Sequence, residues 1–269
     1  TMSVQTLYTA ATGMEAMETK LDVIANNLAN INTTGFKKGR ANFEDLFYRN
    51  EVLPGAEDQS GGLTATGTAI GLGTSVSSIQ TDFRQGAFLD TGNPLDVAIV
   101  GEGFFQAQDT DGTTGYTRAG NFSINANGQL VLGSASVGRL VQGGDITFPE
   151  GARDISISAE GRVQYMVDGS TDPQEAGQLE LATFINKEGL EKLGENLFRE
   201  TYSSGSPQTA NPGQDGAGFV KSGMLEASNV NPVQELIDLI TTQRSFELNS
   251  QAVQAGDAIL QLVANLRRY

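Results

Sequence analysis

Apolar residues near the N-terminus recur at gaps of three and four, the spacing that keeps them on one face of a helix. They predict a helix from Ser3 to Asn32, which would be about 45 Å long. Residues Thr33-Thr34-Gly35 are typical helix breakers and would end it. The apolar row consists of Leu7, Ala10, Met14, Met17, Leu21, Ile24, Leu28 and Ile31.

The C-terminal stretch from Val233 to Leu266 predicts a second long helix with two neighbouring apolar rows. Asn231 can cap this helix, and Pro232 suits its first turn. The first row contains Leu236, Leu239, Phe246, Val253 and Leu260. The second row contains Ile237, Ile240, Leu248, Ala252, Ala255, Ile259, Leu262 and Leu266. Two rows indicate burial on two sides.

A single helical pair would cover one row and leave the other in water, and a large exposed apolar patch usually marks an interaction surface. We therefore expect both termini to belong to a coiled-coil-like bundle built from several subunits. The predicted polymer interface comprises Leu7, Met14, Met17, Leu21, Ile24, Asn26, Asn27, Leu28, Asn30, Ile31, Leu236, Leu239, Ile240, Phe246, Val253, Leu260 and Leu266.

The three asparagines of that interface allow two interpretations. Asn26, Asn27 and Asn30 could be amides that face solvent. Alternatively, they could form hydrogen bonds that set the register between subunits, as a buried Asn does in coiled coils.

The middle of the chain changes from the helical period to a period of two. Residues 76–83 alternate between apolar and polar, and Leu95–Gln108 contains short apolar runs around Gly101 and Gly103. Turn-forming pairs recur at Asp111-Gly112, Asn127-Gly128, Gly143-Gly144, Glu160-Gly161 and Asp168-Gly169. The fold class is therefore predicted to be α+β, with long N- and C-terminal helices in a coiled-coil-like bundle and a central antiparallel β domain of short strands and hairpins.

This pattern also suggests a division of the chain. Residues 1–36 and 226–269 would form a helical polymerisation domain, the inner tube. Residues 37–90 would be a connector with an irregular, Gly- and Thr-rich insert at about 49–73. Residues 91–204 would form the β domain, and the Gly/Pro/Ser-rich residues 205–225 a return linker.

The composition removes several function classes. The 269 residues include no Cys and no His, which excludes thiol nucleophiles, Ser-His-Asp triads and zinc-finger sites. No catalytic residue, cofactor or metal is expected. The net charge is −15, and almost all of it lies in residues 41–225, so nucleic acid is not an expected partner. No apolar run is long enough for a membrane span, and the N-terminus lacks the features of an ordinary secretory signal.

Motifs spread over nearly the whole chain resemble those of the bacterial flagellar rod and hook proteins. The N-terminal match is Leu21–Asn30 with Thr33-Thr34-Gly35-Phe36-Lys37, and the central match is Leu95–Phe105 with Tyr116–Phe122. The C-terminal match is Ser228–Asn231 with Gln243–Glu247. Residues Phe43–Tyr48, the following Pro54, Gly55 and Ala56, and the total length are most similar to the distal rod members of this family.

The resemblance implies a structural subunit and not an enzyme. Such a subunit would polymerise with itself into a straight, hollow shaft that carries torque from motor to hook and encloses the export channel. The implied partners are proximal rod proteins, the hook protein, the P and L ring proteins and the flagellar type III export apparatus. The implied location is the basal body, from the periplasm to the outer membrane, after export without a cleaved signal peptide. Pro54, Gly55 and Ala56 would belong to an insert that stiffens the rod.

Three alternatives stay open at this point. The chain could be a proximal rod or hook-type axial protein of the same family. It could also be a periplasmic glycan hydrolase that uses two carboxylates, since it contains 32 acidic residues. A carbohydrate-binding β module is disfavoured because Trp is absent.

Overall fold

The computed structural model describes residues 2–53, 55, 66–108, 112–133, 139–141, 146–167 and 172–266. They divide into two compact units. The first, called the terminal unit, is drawn from Thr1–Leu28, Gly39–Gln80 and Asn231–Tyr269. The second, called the β unit, is drawn from Ala29–Lys38 and Thr81–Val230. The chain therefore passes between the units four times.

The terminal unit contains two long helices, α1 (Met2–Ala29) and α2 (Pro232–Leu266). The predicted cap of α2 is confirmed, because the Asn231 side chain accepts hydrogen bonds from the backbone N–H groups of Val233 and Gln234 at 3.1 and 3.3 Å. Neither helix is long and apolar enough, within the described residues, to cross a membrane.

The predicted coiled-coil-like bundle of long helices is wrong, although the α+β class agrees with the structure. The described residues form two long helices, and the row of α2 that turns towards α1 is polar or small. That row repeats every seven residues through Glu235, Thr242, Asn249 and Gly256. The central row of α2 in this contact therefore lacks the apolar side chains that a coiled coil requires there.

Four strands complete the terminal unit. Strand β1 (Gly39–Asp45) pairs with β4 (Thr74–Thr81), and β2 (Tyr48–Val52) pairs with β3 (Thr68–Gly71) in antiparallel register. Strands β2 and β3 include residues of the predicted irregular insert at 49–73. The residues between them are largely outside the described part of the chain.

The β unit is built from short strands whose described pairings are antiparallel, as the alternating pattern and the turn signals predicted. These strands are β5 (Phe88–Asp90), β6 (Val97–Val100), β7 (Phe104–Gln108), β8 (Thr114–Thr117), β9 (Phe122–Ile124), β10 (Leu130–Leu132), β11 (Arg139–Val141), β12 (Ala152–Ile157), β13 (Arg162–Val167), β14 (Gln174–Gln178), β15 (Leu181–Thr183), β16 (Glu191–Gly194), β17 (Leu197–Arg199), β18 (Gln208–Ala210), β19 (Phe219–Ser222) and β20 (Met224–Glu226).

The main sheet has the strand order β16-β17-β8-β7-β11-β10-β9, and β15 joins β7 to β18. Strands β12, β13 and β14 form a separate three-stranded sheet, and β19 and β20 pair with β6 and β5. Residues 205–225, which were expected to be a linker, thus contribute β18, β19 and most of β20. The chain returns towards α2 through strands of the β unit.

Two apolar clusters lie on opposite sides of β7, because successive side chains of a strand point to opposite faces. Phe105 belongs to a large, mainly aliphatic core with residues such as Ile99 and Leu181. Phe104 belongs to an aromatic cluster instead. That cluster contains Phe104, Tyr116, Phe184 and Phe198, with Phe83 packed against it.

Candidate assembly surface and junction

The contact between α1 and α2 is antiparallel. The Asn27 amide donates to the Glu235 carboxylate at 3.2 Å near one end. A Cβ added to Gly13 would lie 2.9 Å from the Asn249 amide nitrogen. Further along, a Cβ added to Gly256 would lie 2.8 Å from a methyl carbon of Leu7. Glycine on either helix thus lets the opposite side chain approach the backbone.

The two apolar rows of α2 differ in exposure. The first row flanks the polar row, and four of its members, Leu239, Phe246, Val253 and Leu260, are half-buried. Its first member, Leu236, is exposed. The second row is exposed to water, with exposed fractions between 52% and 64% at Ile237, Ile240, Leu248, Ile259 and Leu262. The side chain of Leu266 lies outside the described residues.

The predicted interface residues of the N-terminal stretch fall into three groups. Ile24 and Asn27 are buried, whereas Asn26 is exposed. Leu7, Met14, Met17, Leu21 and Leu28 are half-buried. Asn30 and Ile31 follow the end of α1 and belong to the β unit. Their contacts with other subunits stay a prediction.

Asn27 makes contacts within its own chain that neither sequence-based interpretation included. Its amide nitrogen donates to the Gly39 carbonyl at 2.9 Å, and its amide oxygen accepts the Gly39 N–H at 2.8 Å. With the hydrogen bond to Glu235, this buried side chain joins α1 to the start of β1 and to α2. Its polar atoms are satisfied inside the terminal unit.

The predicted stiffening insert is described in part. Pro54 and Ala56 lie outside the described residues, and Gly55 is exposed with a left-handed φ of 82°. Close to it, Phe47 and Leu53 expose 86% and 61% of their surface. Apolar side chains of this size stay in water only at a cost in free energy, which burial against another surface would remove.

A second feature is the place where the chain enters and leaves the β unit, residues 29–38 and 226–230, here called the junction. The Gly35 N–H donates to the Glu226 carbonyl at 2.7 Å. Gly35 has a φ of 68°, and a Cβ added there would lie 2.7 Å from the Ala119 nitrogen and 2.8 Å from the Arg118 carbonyl carbon. The backbone of the junction is therefore packed directly onto the backbone of the β unit.

Asn229 joins the two halves of the junction. Its side-chain oxygen accepts the Lys38 N–H at 2.9 Å, and its side-chain nitrogen donates to the carbonyls of Asp82 and Arg84 at 2.8 and 3.1 Å. Its backbone N–H donates to the Phe36 carbonyl at 3.4 Å. From the second segment of the junction, the Asn229 side chain thus binds the first segment and the loop at residues 82–84.

Three charged side chains are buried at the centre of the junction. The Lys37 ammonium lies 2.6 Å from Glu226 Oε1 and donates to the Arg84 carbonyl at 2.9 Å. Arg118 Nη1 lies 3.6 Å from Glu226 Oε2. The Gly86 N–H donates to Glu226 Oε1 at 2.9 Å. The side chains of Lys37 and Glu226 are fully buried, and that of Arg118 is 3% exposed.

Burial governs the electrostatics of this cluster. It lowers the pKa of Lys37, and the charge of Glu226 opposes that shift. Burial likewise lowers the pKa of Arg118, again opposed by Glu226. Arg118 also donates to the Gly101 carbonyl at 2.7 Å, and its guanidinium lies 5.5 Å from the centre of the Phe104 ring. One carboxylate therefore faces two buried cations.

Lys37 and Arg118 both lie in motifs that resemble those of the flagellar family, but the sequence pattern does not predict that their side chains lie close together. Glu226 was not predicted as a site residue, although it directly follows the apolar pair Met224-Leu225 at the end of a strand. The signal in the sequence is weak here, because Glu is rarely fully buried unless it is paired with a cation. The described residues contain no group of three acidic, His or Cys side chains that could hold a metal ion.

Comparison with known proteins agrees with this arrangement. Three family models match the chain: the flagella basal body rod protein at residues 7–37, the flagellar hook protein FlgE/F/G D1 domain at 98–165, and the flagellar basal body rod FlgEFG protein C-terminal domain at 221–266. The central model begins in β6 and ends in β13. The two outer models cover α1 from Leu7 with its connection to Lys37, and Lys221 to the end of α2.

Curated relatives match over almost the entire chain. The flagellar basal-body rod protein FlgG of Caulobacter vibrioides is 45% identical over 98% of this chain and 99% of its own length. FlgG of Bacillus subtilis is 42% identical over 98% and 99% of the two chains. The rod protein FlgF of Caulobacter vibrioides is 34% identical over 90% and 89%. The chain belongs to the FlgG family of flagellar basal-body rod proteins, which are structural proteins and not enzymes.

Proposed function

We propose that copies of this chain polymerise into the distal rod, a straight and rigid hollow shaft that transmits torque from motor to hook and encloses the export channel. The observation that carries the proposal is the exposed apolar row of α2, from Ile237 to Leu262. This row extends over roughly 37 Å of helix at the standard rise. A surface of this kind is covered when proteins assemble.

A second copy of the chain is the occupant that fits best. Full burial of an exposed large aliphatic side chain is worth about 1.5–3 kcal/mol, and roughly half of that is still available to side chains as exposed as these. Five such side chains line the row, and every copy carries the same row. A heterologous contact, in which the row of one subunit packs on a different surface of the next, generates either a ring or a helical polymer.

The proposed partners follow from a place in the distal rod. They are the proximal rod proteins, the hook protein, the P and L ring proteins and the flagellar type III export apparatus. The proposed location runs from the periplasm to the outer membrane, and export would need no cleaved signal peptide. A proximal rod or hook-type role is the second candidate. The chain is 45% identical to FlgG and 34% identical to the rod protein FlgF of the same bacterium, which favours a FlgG-type role.

We also propose that the insert at residues 49–73, with Pro54, Gly55 and Ala56, stiffens the rod by contacting neighbouring subunits. The exposed Phe47 and Leu53 beside it support this role. Deleting residues 54–65 should give rods that bend more in electron micrographs. Rods of unchanged straightness would refute this role.

The polymer proposal is tested by placing a charge in the exposed row. Ile240→Asp should leave the monomer folded, because the side chain is already 57% exposed, and should abolish rod assembly. Assembly is measured by complementing a strain that lacks the gene and counting complete rods in isolated basal bodies.

Gln243→Asp is the matched control, because it adds the same charge at an exposed position of α2 that lies outside the apolar row. We expect this variant to assemble rods. Normal rods from Ile240→Asp would contradict the proposal, and so would an equal loss in both variants, since charge and not the apolar row would then be responsible.

A further inference from the structure

The buried charges of the junction are not part of the exposed apolar row on which the proposed assembly rests. Lys37 and Glu226 are 189 positions apart in the sequence, yet their side chains meet at 2.6 Å without contact to water. Removing such charges from water is costly, and hydrophobic side chains of similar size would often serve stability as well. The cluster therefore calls for a role other than stability alone.

The position of the cluster indicates that role. Lys37 lies at the end of the segment that arrives from α1, and Glu226 lies at the start of the segment that leads to α2. Arg118 follows β8 and is anchored to the β unit by its hydrogen bond to the Gly101 carbonyl. Each of the three charges thus comes from a different segment.

We propose that Lys37, Glu226 and Arg118 form an electrostatic latch that fastens both segments of the junction to the β unit. Glu226 is the central member, because it alone contacts both cations and also accepts the Gly86 N–H. The latch keeps the two connections at one fixed place in the β unit, whether or not the terminal helices are folded.

The number of charges predicts which residue of the latch matters most. Without the carboxylate of Glu226, two buried cations would face each other with no anion between them. Without Lys37, the carboxylate would still have Arg118 as a partner. Arg118 Nη1 and Glu226 Oε2 have no hydrogen-bond partner within the described residues, so their attraction rests on charge. Loss of Glu226 must therefore open the junction more than loss of Lys37.

Hydrogen exchange of the full-length monomer, followed by mass spectrometry, tests the latch. Peptides that contain Gly35 and Ala227 report on the junction, because their N–H groups donate to the Glu226 and Ala87 carbonyls. In Glu226→Gln, exchange in these peptides should become roughly 100-fold to 1,000-fold faster. Peptides from β6 and β7 should keep their protection.

Three further variants complete the test. Lys37→Met should give a smaller acceleration, and Lys37→Arg, which keeps the charge, should restore much of the protection. Glu191→Gln is the control, because this carboxylate pairs with Arg199 at 2.7 Å on an exposed surface. We expect no change at the junction in that control.

The latch is overturned if Glu226→Gln exchanges at the junction no faster than the Glu191→Gln control. It is equally overturned if Lys37→Met has the larger effect, since charge count would not then control opening. Acceleration of the whole β unit together would make the cluster a general stabiliser of the fold and not a latch. The test uses monomers, so its result does not depend on polymerisation.

Discussion

Gly35→Ala tests how tightly the junction is packed onto the β unit. The added methyl group would lie 2.7 Å from the Ala119 nitrogen and 2.8 Å from the Arg118 carbonyl carbon. Both are backbone atoms, so neither can move aside as a flexible side chain could. The residue would also have to keep a φ of 68°, in the left-handed region that favours glycine.

The expected loss of unfolding free energy in Gly35→Ala has two contributions. The left-handed conformation costs a non-glycine residue about 1–2 kcal/mol. Forcing a methyl group into a packed site costs about 1–3 kcal/mol more. The free energy of unfolding should therefore fall by roughly 3 kcal/mol, against a typical total of about 5–15 kcal/mol for a domain.

Gly205→Ala separates the two contributions. Gly205 has a similar φ of 76°, but no atom lies within 4 Å of an added Cβ. This control should lose only the conformational part, so the two variants should differ by about 2 kcal/mol. In urea that difference corresponds to midpoints roughly 1 M apart.

The measurement is urea unfolding of the monomer, followed by near-ultraviolet circular dichroism of the aromatic cluster around Tyr116. Equal midpoints for Gly35→Ala and Gly205→Ala would refute the close approach between the junction and the β unit. A change in slope without a shift in midpoint would point to an altered unfolded state instead.

Three further predictions concern other parts of the molecule. Leu181→Ala, at a fully buried site, should cost about 2–5 kcal/mol of unfolding free energy, measured in urea. Its control, Leu193→Ala at a half-exposed site, should cost under about 0.5 kcal/mol. Equal losses would contradict the assigned core. Asn27→Leu should cost about 2–4 kcal/mol, measured by helical circular dichroism during melting, because it removes the buried hydrogen bonds of Asn27 to Gly39 and Glu235. An unchanged melt would refute the contacts of Asn27. Hydrogen bonds from Arg84 lower the pKa of Asp82 below 3.8, so the wild type should lose about 0.5–1 kcal/mol as the pH falls through that lowered pKa. In Asp82→Asn this loss should be absent, and equal pH profiles for the two proteins would refute it.

Periodicity alone established the main elements. Helix spacing predicted α1 and α2 with boundaries close to those observed, because an amphipathic row and a capping residue are local properties. The alternation and turn pairs of the middle region likewise predicted short antiparallel strands. Strand pairs such as β15 with β18 were not predictable, because pairing across intervening segments depends on tertiary packing.

The sequence also could not show which apolar row of α2 is half-buried and which is exposed. Leu239 and Ile240 are equally apolar, yet the first is half-buried and the second is exposed. The difference arises because α2 turns its polar row, including Glu235 and Thr242, towards α1. Asn27 makes this possible, since its amide supplies a hydrogen-bond partner inside the contact.

The sequence by itself determined the α+β class, the two terminal helices, the absence of cysteine and histidine chemistry, and the resemblance to flagellar rod and hook proteins. Only the tertiary structure decided that α1 and α2 meet through a polar row, and that Lys37, Arg118 and Glu226 share one buried cluster. Local patterns follow from the periods of helix and strand, which any short segment reveals. A contact between positions 189 residues apart follows from how the whole chain packs, and no local pattern records it.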